Sequence, residues 1–83
     1  MNAETKIYSD FIKRNKIVAN TLQKSDGVFA LYYEGVLNVV PLRKCIETGR
    51  YFAGQDNGDL DNGTSTKKAA IYWYCKNHFP NLK

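Results

Sequence analysis

The sequence predicts an α+β fold within a single domain spanning residues 1–83. Apolar residues recur at helical spacing between residues 3 and 24. Residues 28–40 are rich in β-branched and aromatic side chains on both sides of a two-residue break. Residues 66–79 have a helical composition and precede a proline. These patterns predict a long N-terminal helix, an antiparallel β-hairpin, a short helix and a C-terminal helix, with the helices packed on the sheet.

The first element is predicted as one helix over residues 3–24. At 100° per residue, one arc of about 140° collects most of its apolar side chains. The members of that arc are Ile7, Tyr8, Phe11, Ile12, Val18, Ala19 and Leu22. Lys6, Lys13 and Lys24 fall on the opposite side, and Asn2 is a suitable N-cap. The turn-forming sequence at residues 25–27 ends the pattern.

Residues 28–40 are predicted to pair as a hairpin through a loop at Glu34-Gly35. This register places Phe29, Leu31, Tyr33, Val36, Asn38 and Val40 on one face, and Val28, Ala30, Tyr32, Leu37 and Val39 on the other. Both faces are largely apolar. Either helices cover both of them, or one face meets a partner.

The rest of the chain is predicted from turn and capping signals. Pro41 suits the start of a short helix, and Gly49 suits the position just past its end. Residues 50–53 can add a third strand, and residues 54–65 form a loop by composition. Thr64, Ser65 or Thr66 is expected to cap the last helix.

Composition favours a cytoplasmic protein of mildly basic character. Twelve Lys and Arg residues against eight Asp and Glu give a net charge of +4, which permits nucleic acid or an acidic protein as partner without requiring either. No apolar run approaches the ~20 residues that span a bilayer. The N-terminal residues 1–10 lack the apolar segment of a signal peptide, so we expect no membrane association and two reduced cysteines.

Metal binding and catalysis are not expected. Cys75 and His78 are three residues apart on one helix, but Cys45 is the only further cysteine and there is no second histidine. A structural zinc site needs four ligands. Residues 56–63 resemble a calcium loop, yet neither possible frame supplies all the ligand positions. No phosphate-binding or nucleophile motif is present, so the sequence predicts a non-enzymatic protein without a cofactor.

Basic residues alternate with aromatic residues in two parts of the chain. In the C-terminal helix, Tyr72 and Trp73 are the predicted aromatic anchors, and Lys68 and Lys76 the predicted cations. The hairpin and its exit add Tyr32, Tyr33, Arg43, Lys44 and Arg50. Aromatic side chains that stack on bases, beside cations that contact phosphates, are typical of single-stranded nucleic-acid sites. We therefore expect binding to nucleic acid or to a nucleoprotein complex.

The alternative is a protein-binding inhibitor or adaptor, which could act as a monomer or as a homodimer. A small domain without a cofactor is in the style of phage or mobile-element proteins that block a host complex. An ordinary solvated surface over a tyrosine-rich core explains the same residues without any partner. Basic side chains that cluster among exposed aromatics favour nucleic acid, whereas an apolar surface with few charges favours a protein partner.

Overall fold

The computed structural model describes residues 3–21, 26–54 and 63–82, and it confirms the α+β class. The elements are α1 (Ala3–Arg14), β1 (Val18–Thr21), β2 (Asp26–Tyr33), β3 (Val36–Lys44), β4 (Tyr51–Ala53) and α2 (Lys67–His78). The strands form one antiparallel sheet in the order β1-β2-β3-β4. Every strand therefore lies beside its neighbour in sequence.

The hairpin between β2 and β3 has the predicted register. Tyr33 pairs with Val36, Leu31 with Asn38 and Phe29 with Val40. Glu34 and Gly35 both have positive φ, at 52° and 83°, which is the conformation that a two-residue hairpin loop requires. The two predicted faces of the hairpin are therefore confirmed.

The predicted long N-terminal helix is wrong beyond Arg14. The Asn15 side chain donates to the carbonyl of Phe11 at 2.9 Å, and Lys16 adopts a left-handed φ of 54°. The chain then enters β1, where Val18 pairs with Ala30. Val18 is β-branched, and its pairing with β2 outweighs its place in the helical pattern. Asn2, Leu22 and Lys24, which the prediction also used, lie outside the described residues.

The short helix predicted from Pro41 is also wrong, because β3 continues to Lys44. Pro41 pairs with Val28, and its carbonyl accepts a hydrogen bond from the Gly54 amide at 2.9 Å. The residues after Lys44 form a turn closed by a Gly49 amide to Cys45 carbonyl bond of 2.7 Å. The chain returns as β4, which is the predicted third strand of the hairpin region.

Both helices lie against the same side of the sheet. The core combines Phe29, Leu31, Val40 and Leu42 from the sheet with Phe11 from α1 and Ala70, Ile71 and Cys75 from α2. Aromatic rings pack within this core: Phe11 of α1 meets Tyr72 of α2 edge-on at 5.0 Å, and Tyr33 of β2 meets Phe79 at 4.8 Å. The core therefore lies between the helices and one side of the sheet. The helices leave the opposite side of the sheet uncovered.

The last helix begins and ends close to the predicted limits. Thr66 is its N-cap and accepts a hydrogen bond from the Ala69 amide at 3.1 Å, which selects one of the three expected candidates. The helix ends at His78, before Pro80. Neither helix in the part of the chain described here is long and apolar enough to cross a membrane.

Candidate functional site

Helices α1 and α2 pack side by side and present a mixed basic and aromatic surface. Tyr8 lies 4.9 Å from Tyr72 between ring centroids, and the Lys68 ammonium donates to the Ser9 hydroxyl at 2.9 Å. We call this surface the helical face and define it by Tyr8, Lys68, Tyr72, Trp73 and Lys76. Four of these five residues are those predicted for the C-terminal helix, and the structure brings them together with α1.

Trp73 is the exposed aromatic residue of the helical face. Its side chain is 51% exposed, so Trp73 is not the centre of the monomer core. Tyr72 supports it from one side, with ring centroids 5.1 Å apart and planes almost perpendicular at 88°. Tyr72 itself is half-buried between Tyr8 and Phe11. Trp73 is therefore the ring available to a ligand, and Tyr72 holds it in place.

The cations of the helical face are arranged along α2. Lys68, Tyr72 and Lys76 follow one another at four-residue spacing, so they form one line in which the two lysines are about 12 Å apart. The Lys76 ammonium lies 5.7 Å from the Tyr72 ring centroid and 6.0 Å from that of Phe11. The Arg14 guanidinium approaches the same Phe11 ring at 5.9 Å. Cation–π contacts therefore hold positive charge over this aromatic cluster.

Acidic groups are scarce around this line of cations. Helix α2 contains three lysines and no carboxylate. Within residues 3–21, 26–54 and 63–82, no carboxylate forms an ion pair with Lys68 or Lys76. The ion pair found among these residues, Lys6–Asp10 at 3.4 Å, lies within α1. Neither lysine therefore has to break a salt bridge to a carboxylate of these segments before it binds an anionic ligand.

A shallow polar cavity of about 270 Å³ adjoins the helical face where both helices begin. Trp73 and Tyr8 form part of its wall, and Glu4, Arg50 and Thr66 form another part. Arg50 is oriented by a 3.0 Å hydrogen bond to the carbonyl of Gly63. The negative charge of Glu4 would repel an anion that entered this cavity. The basic part of the surface is therefore formed by the lysines of α2 and not by the cavity.

Of the remaining predicted site residues, only Arg50 approaches the helical face, at the polar cavity that it lines with Tyr8 and Trp73. Tyr32 lies on the uncovered side of the sheet, whereas Tyr33 points inward against Phe79. Arg43 pairs with Phe52 in register, and the Lys44 ammonium lies 5.5 Å from the ring of Tyr51. Together with Arg50 at the polar cavity, these positions are spread over different sides of the protein. The structure therefore does not gather all the predicted residues into a single surface.

The second surface is the uncovered side of the sheet, which we call the outer sheet face. Its most exposed members are Val18, Tyr32, Leu37 and Val39. The hairpin pattern predicts three of them. The helical pattern assigns Val18 to the N-terminal helix instead, although the two β-branched residues at 17–18 also favour a strand.

Cys75 and His78 do not converge on a common ligand. The Cys75 side chain is fully buried in the core, as predicted from its apolar neighbours. His78 is exposed and stacks on Tyr74, with ring centroids 4.1 Å apart. No cluster of three potential metal ligands occurs in the described segments. The calcium-like stretch at 56–63 lies outside those segments, apart from its last residue.

The two thiols are expected to differ in reactivity. Burial raises the pKa of Cys75 to about 12, whereas hydrogen bonding, chiefly to the Thr48 side chain, lowers the pKa of Cys45. Only the thiolate reacts with alkylating agents, and it is more populated at Cys45. Iodoacetamide at about pH 8 should modify Cys45 alone in the folded protein, and both thiols in urea, as measured by mass spectrometry. Equal labelling of Cys75 in the folded protein, or no labelling in urea, would contradict this.

These features define the class of the protein: an α+β domain whose antiparallel sheet is covered on one side by two helices. It presents a basic aromatic surface on the helices and an apolar surface on the sheet. Comparisons of the chain with protein-family models, with curated proteins and with solved structures found no match in any of the three.

Proposed function

We propose that this protein binds single-stranded nucleic acid, free or within a nucleoprotein complex, through the helical face. The observation that carries the proposal is the half-exposed Trp73 beside Lys68 and Lys76, neither of which pairs with a carboxylate of the described residues. On this proposal the protein acts in the cytoplasm as a binding protein, with no cofactor and no catalytic step.

A single strand suits this surface better than a duplex does. An indole ring projecting from a helix offers a flat apolar surface on which an unpaired base stacks, and bases within a duplex are already stacked on each other. Along α2, Lys68 precedes Trp73 and Lys76 follows it. The phosphates on both sides of a base stacked on Trp73 can therefore reach these two lysines. The Lys76 ammonium is held over the Tyr72 ring, which limits the entropy lost when a phosphate binds.

Salt dependence of binding tests the role of the lysines. The probe is a fluorescein-labelled oligothymidine of about 20 nucleotides, and the readout is its anisotropy over a range of salt concentrations. Lys68→Gln and Lys76→Gln should each lower the slope of log K against log salt by about 0.7, because each removes one phosphate contact. Lys13→Gln is the matched control, since Lys13 is an exposed cation of α1 outside the helical face and its loss should leave the slope unchanged.

Substitution of Trp73 separates stacking from charge. Trp73→Ala should weaken binding by about 1–3 kcal/mol without changing the salt slope. Tyr72→Phe keeps the ring that supports Trp73 and should bind like the wild type. An equal loss for Lys13→Gln and Lys76→Gln, or unchanged affinity in Trp73→Ala, would contradict binding at the helical face.

The second candidate function is a protein-binding inhibitor or adaptor, in the style of phage or mobile-element proteins that block a host complex. The observation that favours it is the outer sheet face, because an exposed apolar surface of this kind usually meets a protein. Capture of partners from a host lysate, with and without nuclease, distinguishes the two candidates. Partners that are lost on nuclease treatment support the first, and partners that stay support the second.

A further inference from the structure

The outer sheet face is a continuous apolar surface formed by the three strands β1, β2 and β3. Its most exposed side chains are Val18 at 66%, Tyr32 at 68%, Leu37 at 52% and Val39 at 59%. Val28, Ala30 and Pro41 fill the positions between them and are themselves half-buried. Among the outward side chains that the structure describes in the sheet, Arg43 alone is charged, and it lies at one end. An apolar surface without interior charges indicates an interface that excludes water.

The area of this surface is enough for a dimer of modest affinity. The exposed parts of these side chains sum to on the order of 500 Å² on one copy, which is within the range of the largest apolar patch on a typical monomer. Two copies that pack these surfaces together bury on the order of 1,000 Å², the lower limit for a specific interface. A second copy of the chain is therefore large enough to form an interface at this limit.

The shape of the outer sheet face is self-complementary. Val18, Ala30 and Val39 form one row across three strands, with the small Ala30 in its centre. Tyr32 and Leu37 form the next row, about 6.6 Å away along the strands. Consider a two-fold axis that lies in the plane between the two sheets, parallel to the rows and midway between them. This axis places Tyr32 of each copy over Ala30 of the other. The same axis places Leu37 over Val39, so large side chains meet smaller ones.

We propose that the protein forms a homodimer in which two outer sheet faces pack against each other. Sheets packed in this way lie about 10 Å apart, and both pairs of helices remain on the outside. The two-fold axis also sends Arg43 to opposite ends of the dimer, so the like charges stay apart. The dimer leaves the helical face of each copy accessible, and it does not depend on the proposed nucleic-acid binding. It buries the outer sheet face, so it is an alternative to the binding of a different protein at that face.

Sedimentation velocity of the nuclease-treated full chain tests the dimer. Wild type should change from monomer to dimer between about 1 μM and about 1 mM, the range expected for an interface of this size. Val39→Lys should raise the dissociation constant by about 100-fold or more, because the two-fold symmetry buries two new charges. Ile46→Lys is the matched control: Ile46 is 84% exposed in the turn after β3, away from the face, so this variant should dimerise like wild type.

A second variant tests the geometry without adding charge. Ala30→Leu fills the centre of the row that receives Tyr32 and should weaken the dimer by about 10-fold or more. Circular dichroism verifies that each variant is folded. Three results would overturn the proposal: wild type that stays monomeric throughout, a Val39→Lys variant that dimerises normally and so uses another surface such as the β1 edge, or an Ile46→Lys variant that weakens the dimer equally.

Discussion

Phe11→Ala is expected to lower the free energy of unfolding by about 3–5 kcal/mol. Phe11 is 1% exposed and is the buried residue of α1, with its ring edge-on to Tyr72. The substitution leaves a cavity between α1 and α2 and removes the ring beneath Lys76. A domain of 83 residues is stabilised by about 4–12 kcal/mol in total, so this single change removes much of its stability. Urea denaturation followed by circular dichroism measures the effect.

Two exposed positions are controls for Phe11. Lys13→Ala should change the free energy of unfolding by no more than about 0.5 kcal/mol, because Lys13 is exposed on α1. A helix over residues 3–24 would have made Val18→Ala strongly destabilising. The structure instead places Val18 on the outer sheet face, so its effect at a protein concentration that favours the monomer should be small. Equal effects for Phe11→Ala and Lys13→Ala would mean that α1 is docked through a different face.

Gly63→Ala is expected to destabilise the protein by about 3 kcal/mol or more. Gly63 has a φ of +67°, which a residue with a Cβ adopts only with strain. A Cβ at this position would lie 2.6 Å from the Tyr51 carbonyl oxygen and 2.9 Å from two carbons of the Phe52 ring. The carbonyl belongs to the backbone bridge between Tyr51 and Thr64, so it cannot move without disturbing the approach to α2.

Gly49→Ala separates backbone strain from the steric clash. Gly49 has a similar φ of +73°, but a Cβ there would meet nothing within 4 Å. Its substitution should therefore cost about 1–2 kcal/mol, which is the conformational penalty alone. Thermal unfolding of both variants measures the difference, since 1 kcal/mol corresponds to roughly 4–8 °C in a domain of this size. Equal melting temperatures would show that the Tyr51 carbonyl gives way at little cost.

The parts of the fold that the sequence predicts correctly are those governed by local signals. The Glu34-Gly35 loop fixes the hairpin register, and Thr66 and Pro80 delimit the last helix. The errors occur where a longer-range contact competes with the local pattern. Val18 fits both a helical arc and a strand, and only pairing with β2 decides between them. Pro41 fits a helix start equally well, yet its strand position is set by pairing with Val28.

The proposed binding surfaces can likewise be predicted only where they depend on local sequence spacing. Lys68, Tyr72, Trp73 and Lys76 share one short helix, so their proximity follows from helical spacing alone. Tyr32 and Tyr33 are adjacent in a strand and necessarily point to opposite sides of the sheet. The contribution of Tyr8 from α1 was not predictable, because it depends on how the two helices pack.

The simple order of the strands has a consequence for the folding kinetics. Each strand pairs with the next one in sequence, so the whole sheet can assemble through the closure of short loops. The docking of α1 on α2 instead joins residues 59 positions apart, as in the Lys68–Ser9 hydrogen bond. This long closure is favourable only once the sheet and α2 supply a surface for it, so α1 is expected to dock after the rate-limiting step. The loss of Phe11 contacts should then appear mainly as faster unfolding, with the refolding rate almost unchanged.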